Sequence, residues 1–117
     1  MSDVRQLAHR LRQVLLDTRA DWERMPFFVR PMVKIGFLRR TGRDLDGWLR
    51  LTDDLAAGRG HGPRLVDDLA GLAESYRTAP ERASRFMRDG ARLEMVRARS
   101  RDREDVVRLL LGALKDA

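Results

Sequence analysis

Residues 3–25 read DVRQLAHRLRQVLLDTRADWERM, and this stretch decides the fold class. Its apolar residues recur at intervals of three and four positions, which places them on one face of an α-helix for about six turns. They are Val4, Leu7, Ala8, Leu11, Val14, Leu15, Trp22 and Met25. Ser2 is suited to cap the start of such a helix and Pro26 to end it. We therefore predict an amphipathic helix from residue 3 to about residue 24.

The same period continues along the chain, and no segment of useful length alternates with the period of two that a strand requires. It predicts helices over residues 31–41, 44–57 and 63–77. Residues 78–81 (TAPE) have the form of a capping box that opens a fifth helix, and Ser100 is a candidate cap for a sixth. Whether these last two helices are separate or one long rod stays open. The expected fold is all-α, a compact bundle of five or six helices in a single domain spanning residues 1–117.

Ten apolar residues on these faces are expected to form the core. They are Leu11, Leu15, Trp22, Val33, Trp48, Leu55, Leu69, Leu72, Phe86 and Leu110. Phe27 and Phe28 are adjacent in a short connector and cannot both point inward easily, so we expect an exposed aromatic side chain there. Such a side chain could stack on a base or enter a groove of a partner protein.

The composition narrows the class of function. Hydrophobic residues make up 43% of the chain and charged residues 36%, which is typical of a folded domain with a dense ionic surface. The absence of cysteine excludes disulfides and thiolate zinc sites. No apolar run approaches the length of a membrane span, and the N-terminus lacks the apolar region of a signal peptide. We expect a soluble, cytoplasmic protein.

The chain offers few residues for catalysis. It has two histidines, of which His9 is predicted to be solvated. His61 lies in a glycine-rich loop, where it is a plain loop residue, a catalytic base or a contact to phosphate. The Asp53–Asp54 and Asp67–Asp68 pairs could form a cation cluster, but Asp67 and Asp68 fit the first turn of a helix, where negative charge is favourable. We expect no enzyme activity, no catalytic residues, no metal site and no cofactor.

Charge is the most informative feature of this sequence. There are 24 Lys and Arg residues against 18 Asp and Glu residues, giving a net charge of +6, and only Lys34 and Lys115 are lysine. Residues 30–43, the basic segment, carry five cations and no acid, whereas residues 44–76 carry seven acids and three arginines. The cations of the basic segment that we predict to bind nucleic acid are Lys34, Arg39, Arg40 and Arg43. Either a genome rich in arginine codons or the function could explain the bias toward arginine.

A second set of cations, the arginine row, consists of Arg85, Arg88, Arg92 and Arg99. Spacings of three, four and seven place them on one face of the predicted fifth helix. At 1.5 Å per residue the row would extend about 21 Å, enough to follow several phosphates. The alternative is an ordinary solvated face on which nearby acids pair with these arginines.

Two resemblances bear on function. Residues 25–30 (MPFFVR), followed by Val33 and Lys34, resemble a signature of the small helical domain that ends the subunits of light-independent protochlorophyllide reductase. This resemblance implies a similar helical turn, and neither a cysteine ligand nor reductase chemistry. As a small, basic, all-helical chain without cysteine, the protein also resembles the small subunits of CRISPR effector complexes. That resemblance implies a bundle whose arginine rows hold DNA or RNA.

These features together predict a non-catalytic subunit of a larger nucleoprotein complex. It would bind the phosphate backbone through the basic segment and the arginine row, without sequence specificity. Single-stranded RNA or DNA is favoured over duplex, alongside other protein subunits or further copies of this chain, with no membrane contact. The alternative is a protein–protein adaptor or regulatory subunit that does not touch nucleic acid.

Overall fold

The computed structural model describes residues 4–60 and 62–116, which form five α-helices. They are α1 (Val4–Glu23), α2 (Arg30–Thr41), α3 (Leu45–Ala56), α4 (Leu65–Ser84) and α5 (Gly90–Lys115). These residues contain no strand, so the all-α prediction is confirmed. The predicted Ser2 cap and the alternatives for His61 lie outside the described residues.

One hydrophobic cluster receives side chains from all five helices. α4 packs along α5, while α1 packs against α3 and α5. Eight of the ten predicted core residues are buried, with Trp48 the largest side chain that is fully buried. Val33 is only half-buried. Phe86 is 88% exposed, so the assignment of Phe86 to the core is wrong. Phe86 is exposed because it lies in the turn between α4 and α5 and not on a helical face.

α2 is the least buried of the helices, since only Phe37 and Thr41 are fully covered. Phe37 packs edge-on against Trp22 of α1 at 5.1 Å between ring centroids. The connector before α2 leaves both phenylalanines in solvent, Phe27 at 79% and Phe28 at 69% exposed, which confirms the expectation of an exposed aromatic side chain. α2 therefore presents most of its surface outward.

The C-terminal end of α2 is fixed against α3. Gly42 closes the helix in the left-handed region (φ 81°), which a glycine adopts without strain. Asp44 caps α3 by accepting a hydrogen bond from the backbone of Gly47 at 2.7 Å. The buried indole of Trp48 donates to the hydroxyl of Thr41 at 3.0 Å, so the two helix ends share one polar contact inside the core.

The boundary between the last two helices differs from the prediction. α4 continues through Pro80 to Ser84, and the capping box predicted at residues 78–81 is wrong. The Thr78 hydroxyl bonds within the helix, to the carbonyl of Glu74 at 3.0 Å, and does not cap a new one. The actual cap is Asp89, which accepts from the backbone of Ala91 and Arg92.

From that cap, α5 runs without a break for 26 residues. The open question about the last two predicted helices is thereby answered, because Ser100 is a buried residue inside α5 and starts no helix. Among residues 77–99, which include the end of α4, the turn and the start of α5, no side chain is fully buried. This part of the bundle is a helical hairpin with a thin core.

Candidate nucleic-acid interface

The basic segment divides into cations with structural partners and cations without them. Arg43 is bound to Asp68 at 2.9 Å and lies over the Trp48 ring, so it fastens α2 to α4. Arg30 donates to the carbonyls of Glu23 and Met25 and so closes the end of α1. Those bonds make both arginines unsuited to bind a ligand.

The remaining cations of the segment are exposed. Lys34 and Arg39 point into solvent on α2 and form no ion pair within the described ranges. They do not lie in one line with Arg40, because Lys34 and Arg40 are six positions apart and so lie on different flanks of the helix. Between those flanks the outward face is apolar, and it consists of Met32, Ile35 and Leu38. The cations therefore border an exposed apolar face.

Arg40 occupies a defined position between α2 and α4. Its Nε atom donates to the hydroxyl of Ser75, a buried residue of α4, at 3.1 Å. Its guanidinium folds back over Gly36, where a Cβ atom would come within 2.8 Å of Nη1. The backbones are also close here, since a Cβ on Gly71 would lie 3.2 Å from the Arg40 carbonyl. Glycines at positions 36 and 71 thus make room for this contact.

Arg82 of α4 meets the same serine. Its Nη2 donates to the Ser75 carbonyl at 2.7 Å, and its Nη1 donates to the Thr78 hydroxyl at 2.6 Å. Two guanidinium groups are therefore bonded to one residue, and neither forms an ion pair among the residues that the structure describes. Burial, and then the charge of Arg40, lowers the pKa of Arg82 to about 10, while burial also lowers the pKa of Arg40.

Arg82 is not among the predicted binding residues, since the sequence suggested only that it extends the arginine row approximately. Ser75, Thr78 and Arg82 have spacings of three and four, so they share one face of a helix. That signal was hidden because the sequence suggested a helix boundary at residues 78–81, which would have interrupted the face. The continuous α4 brings the three side chains together.

The arginine row does not lie on one helical face, and that expectation is wrong. Arg85 and Arg88 fall in or beside the turn that follows α4, because the helix ends at Ser84. Arg92 and Arg99 lie on α5, where Arg99 is bound to Asp21 of α1 at 2.8 Å. Arg92 has a loose contact with Asp89 at 3.8 Å. Of the four arginines of the row, Arg85 and Arg88 are exposed and have no ion pair with the described residues.

Several acidic residues serve as partners of arginines. Asp53 pairs with Arg12 at 3.3 Å and Asp54 with Arg59 at 2.8 Å, while Asp67 and Asp68 lie in the first turn of α4. Within residues 4–60 and 62–116, no three acidic or histidine side chains converge as metal ligands would. A groove between α4 and α5 is lined by both signs of charge, including Arg77, Arg97 and Arg101 with Glu81 and Glu104. It offers no surface selective for anions.

Comparison with protein-family models, curated proteins and solved structures gives no match to this chain. None of the helices in the described residues combines the length and the apolar character that crossing a bilayer requires. A function for this chain therefore has to be inferred from the geometry and charge of its own residues.

Proposed function

We propose that this protein is a non-catalytic subunit that binds the phosphate backbone of single-stranded RNA or DNA within a larger nucleoprotein complex. The observation that carries the proposal is the set of cations without carboxylate partners on α2, together with Arg82 of α4, which shares Ser75 with Arg40. Lys34, Arg39, Arg40 and Arg82 would contact phosphates, since such cations gain free energy by releasing condensed counterions. A cytoplasmic location belongs to the same proposal.

The exposed aromatic residues favour binding of single-stranded over duplex nucleic acid. Phe27 and Phe28 precede α2 and pack edge-to-face at 5.9 Å between ring centroids. Proteins that hold single strands combine basic surfaces with aromatic side chains on which unpaired bases stack. A duplex would present its bases only in the grooves, where these side chains could not stack on them. Contacts of this kind depend on charge and spacing and carry little sequence specificity.

The proposal is tested by a matched pair of charge reversals. Lys34→Glu/Arg39→Glu changes the net charge by four at the proposed interface, and Arg10→Glu/Arg19→Glu makes the same change on α1, where both arginines are exposed. Affinities for labelled single-stranded RNA, single-stranded DNA and duplex DNA are measured by fluorescence anisotropy at one salt concentration. We expect the first variant to lose about tenfold or more in affinity, and markedly more than the control.

Equal losses in the two variants would contradict a localised interface, because they would reflect overall charge alone. A second variant, Phe27→Ser/Phe28→Ser, examines stacking. It should weaken single-strand binding by roughly 5- to 100-fold, since stacking of one base is worth about 1–3 kcal/mol. Duplex affinity should change little.

A protein–protein adaptor is the second candidate, and the exposed apolar face of α2 favours it. Met32 is 74% exposed and Ile35 50%, and a patch of this kind on a folded chain often marks a binding surface. Under this alternative the measured mass rises with protein concentration, is insensitive to nuclease, and falls when Ile35 is replaced by Ser. No oligonucleotide binds at low salt.

A further inference from the structure

We propose that Arg40 and Arg82, fixed by Ser75 and Thr78, form a binding site for a single phosphate group between α2 and α4. The ligand class is a phosphate oxyanion: inorganic phosphate, pyrophosphate or one phosphate of a nucleic-acid backbone. The identification with a backbone phosphate rests on the proposed function, whereas the capacity to bind phosphate does not.

The two guanidinium groups offer many hydrogen-bond donors. A guanidinium carries five N–H groups in a planar fork. Within the described residues Arg40 uses one of them, toward the Ser75 hydroxyl, and Arg82 uses two, toward Ser75 and Thr78. Most of the donors on both groups therefore remain available. Two arginine forks fit the several oxygens of a phosphate better than lysine would, because they can bind in bidentate fashion.

The two guanidinium groups also bring like charges close together. Arg40 and Arg82 bond to the hydroxyl and the carbonyl of the same serine, while no carboxylate pairs with either in the parts of the chain that are described. Neighbouring guanidinium groups repel each other, and the partial burial of Arg82 makes this repulsion less well screened. An anion between them removes the repulsion. Arg43 and Arg103, which are also half-buried, have carboxylate partners instead.

A glycine in the middle of α2 leaves space for the Arg40 guanidinium. Gly36 is four residues before Arg40, at a position where alanine would stabilise a helix by about 1 kcal/mol relative to glycine. It needs no unusual backbone angle, since its φ is negative like those of its helical neighbours. A side chain there would instead displace the Arg40 guanidinium, because the Cβ would lie 2.8 Å from Nη1. The glycine keeps Arg40 in place at the expense of helix propensity.

The test replaces Gly36 in order to separate the effect of the position of the Arg40 guanidinium from the effect of its charge. Gly36→Ala keeps the net charge and favours the helix, and it moves the far end of a flexible side chain, so the variant should fold. Inorganic phosphate is titrated at constant ionic strength, with chloride as the replaced anion, while the arginine Nε–H resonances are followed by NMR. Arg40→Gln and Arg82→Gln assign the two resonances, and Arg10→Gln at an exposed position of α1 is the control with the same change of charge as each of them.

We expect the Arg40 and Arg82 resonances of the wild type to shift together with one dissociation constant. Gly36→Ala and Arg82→Gln should each weaken phosphate binding about tenfold or more, as expected for loss of hydrogen bonds to a charged group. The control should bind phosphate like the wild type. If Gly36→Ala binds phosphate as tightly as the wild type, or if phosphate shifts all arginine resonances alike, the proposed site is wrong.

An oligonucleotide arm separates this proposal from the proposed function. If phosphate saturates Arg40 and Arg82 but no oligonucleotide binds, the phosphate site stands and the nucleic-acid function fails. If single strands bind the wild type and Gly36→Ala equally well while inorganic phosphate binds Gly36→Ala more weakly, the function and the phosphate site both stand, and the identification of the ligand with a backbone phosphate is overturned.

Discussion

Replacing Thr41 by Val should destabilise the fold through one buried hydrogen bond. The Trp48 side chain is fully buried, and its indole N–H donates to the Thr41 hydroxyl at 3.0 Å. That hydroxyl lies 2.9 Å from the carbonyls of both Phe37 and Arg43, and it can donate to either. Valine keeps nearly the same shape but removes the acceptor. The indole N–H would then be buried without a partner.

An unsatisfied buried donor costs about 1–3 kcal/mol, and valine leaves almost no cavity to add to it. We therefore expect the free energy of unfolding to fall by about 2 kcal/mol. In urea unfolding with a slope near 1.5 kcal/mol per M, this corresponds to a midpoint lower by about 1.3 M. Thr41→Ser is the control, because it keeps the hydroxyl and loses one methyl group, a loss of about 0.8 kcal/mol.

The reasoning is refuted if Thr41→Val has the wild-type midpoint, or if Thr41→Ser is as unstable as Thr41→Val. The first result would mean that the indole finds another acceptor. The second would mean that the methyl group, and not the hydroxyl, holds the end of α2. Since Arg40 is adjacent to Thr41, a loosened helix end should also weaken phosphate binding in Thr41→Val.

Two further predictions concern the contacts of α1 with α4 and α5. Burial raises the pKa of Tyr76, whose hydroxyl lies 2.8 Å from that of Thr18, to about 12. As the pH rises above about 10, the phenol of the unfolded chain loses its proton before that of the folded chain. The contribution of the buried, neutral Tyr76 to stability is therefore complete below that pH and is lost toward pH 12. The difference in unfolding free energy between wild type and Tyr76→Phe should shrink by up to about 3 kcal/mol across this window, and a constant difference would contradict the burial argument. Asp21→Asn removes the partner of both Arg99 and Arg103, at 2.8 Å each. It should lower stability by about 1–3 kcal/mol in thermal unfolding, because Arg103 is largely covered, yet raise affinity for oligonucleotides by freeing Arg99 and adding positive charge. Unchanged stability together with unchanged affinity would show that these ion pairs are inconsequential.

The fold was largely predictable because burial in this chain follows helical periodicity. The stripe of α1 and the glycine at position 42 specify a helix and its end through local chemistry alone. The prediction failed where two local signals compete. Residues 78–81 have the form of a cap, but Asp89 provides the cap, and packing of α4 along α5 carries the helix through Pro80.

The candidate site was predictable only in part. The acid-free segment around Arg39 and Arg40 is visible as a run of charge. Which of its cations have a structural partner depends on contacts between residues that are 25 or more positions apart in the sequence, such as Arg43 with Asp68. The meeting of Arg40 with Ser75 and Arg82 also depends on how α2 packs against α4, which no local pattern encodes.

The central claim is that cations around α2 bind a nucleic-acid backbone, and the salt dependence of single-stranded RNA binding tests it most directly. Neutralising four phosphates with Lys34, Arg39, Arg40 and Arg82 predicts a slope of about −3 for the logarithm of the association constant against the logarithm of salt concentration. Affinity would then fall roughly 200-fold between about 50 and about 300 mM salt. A flat dependence, or no binding at the lowest salt, would contradict the claim and favour a protein partner.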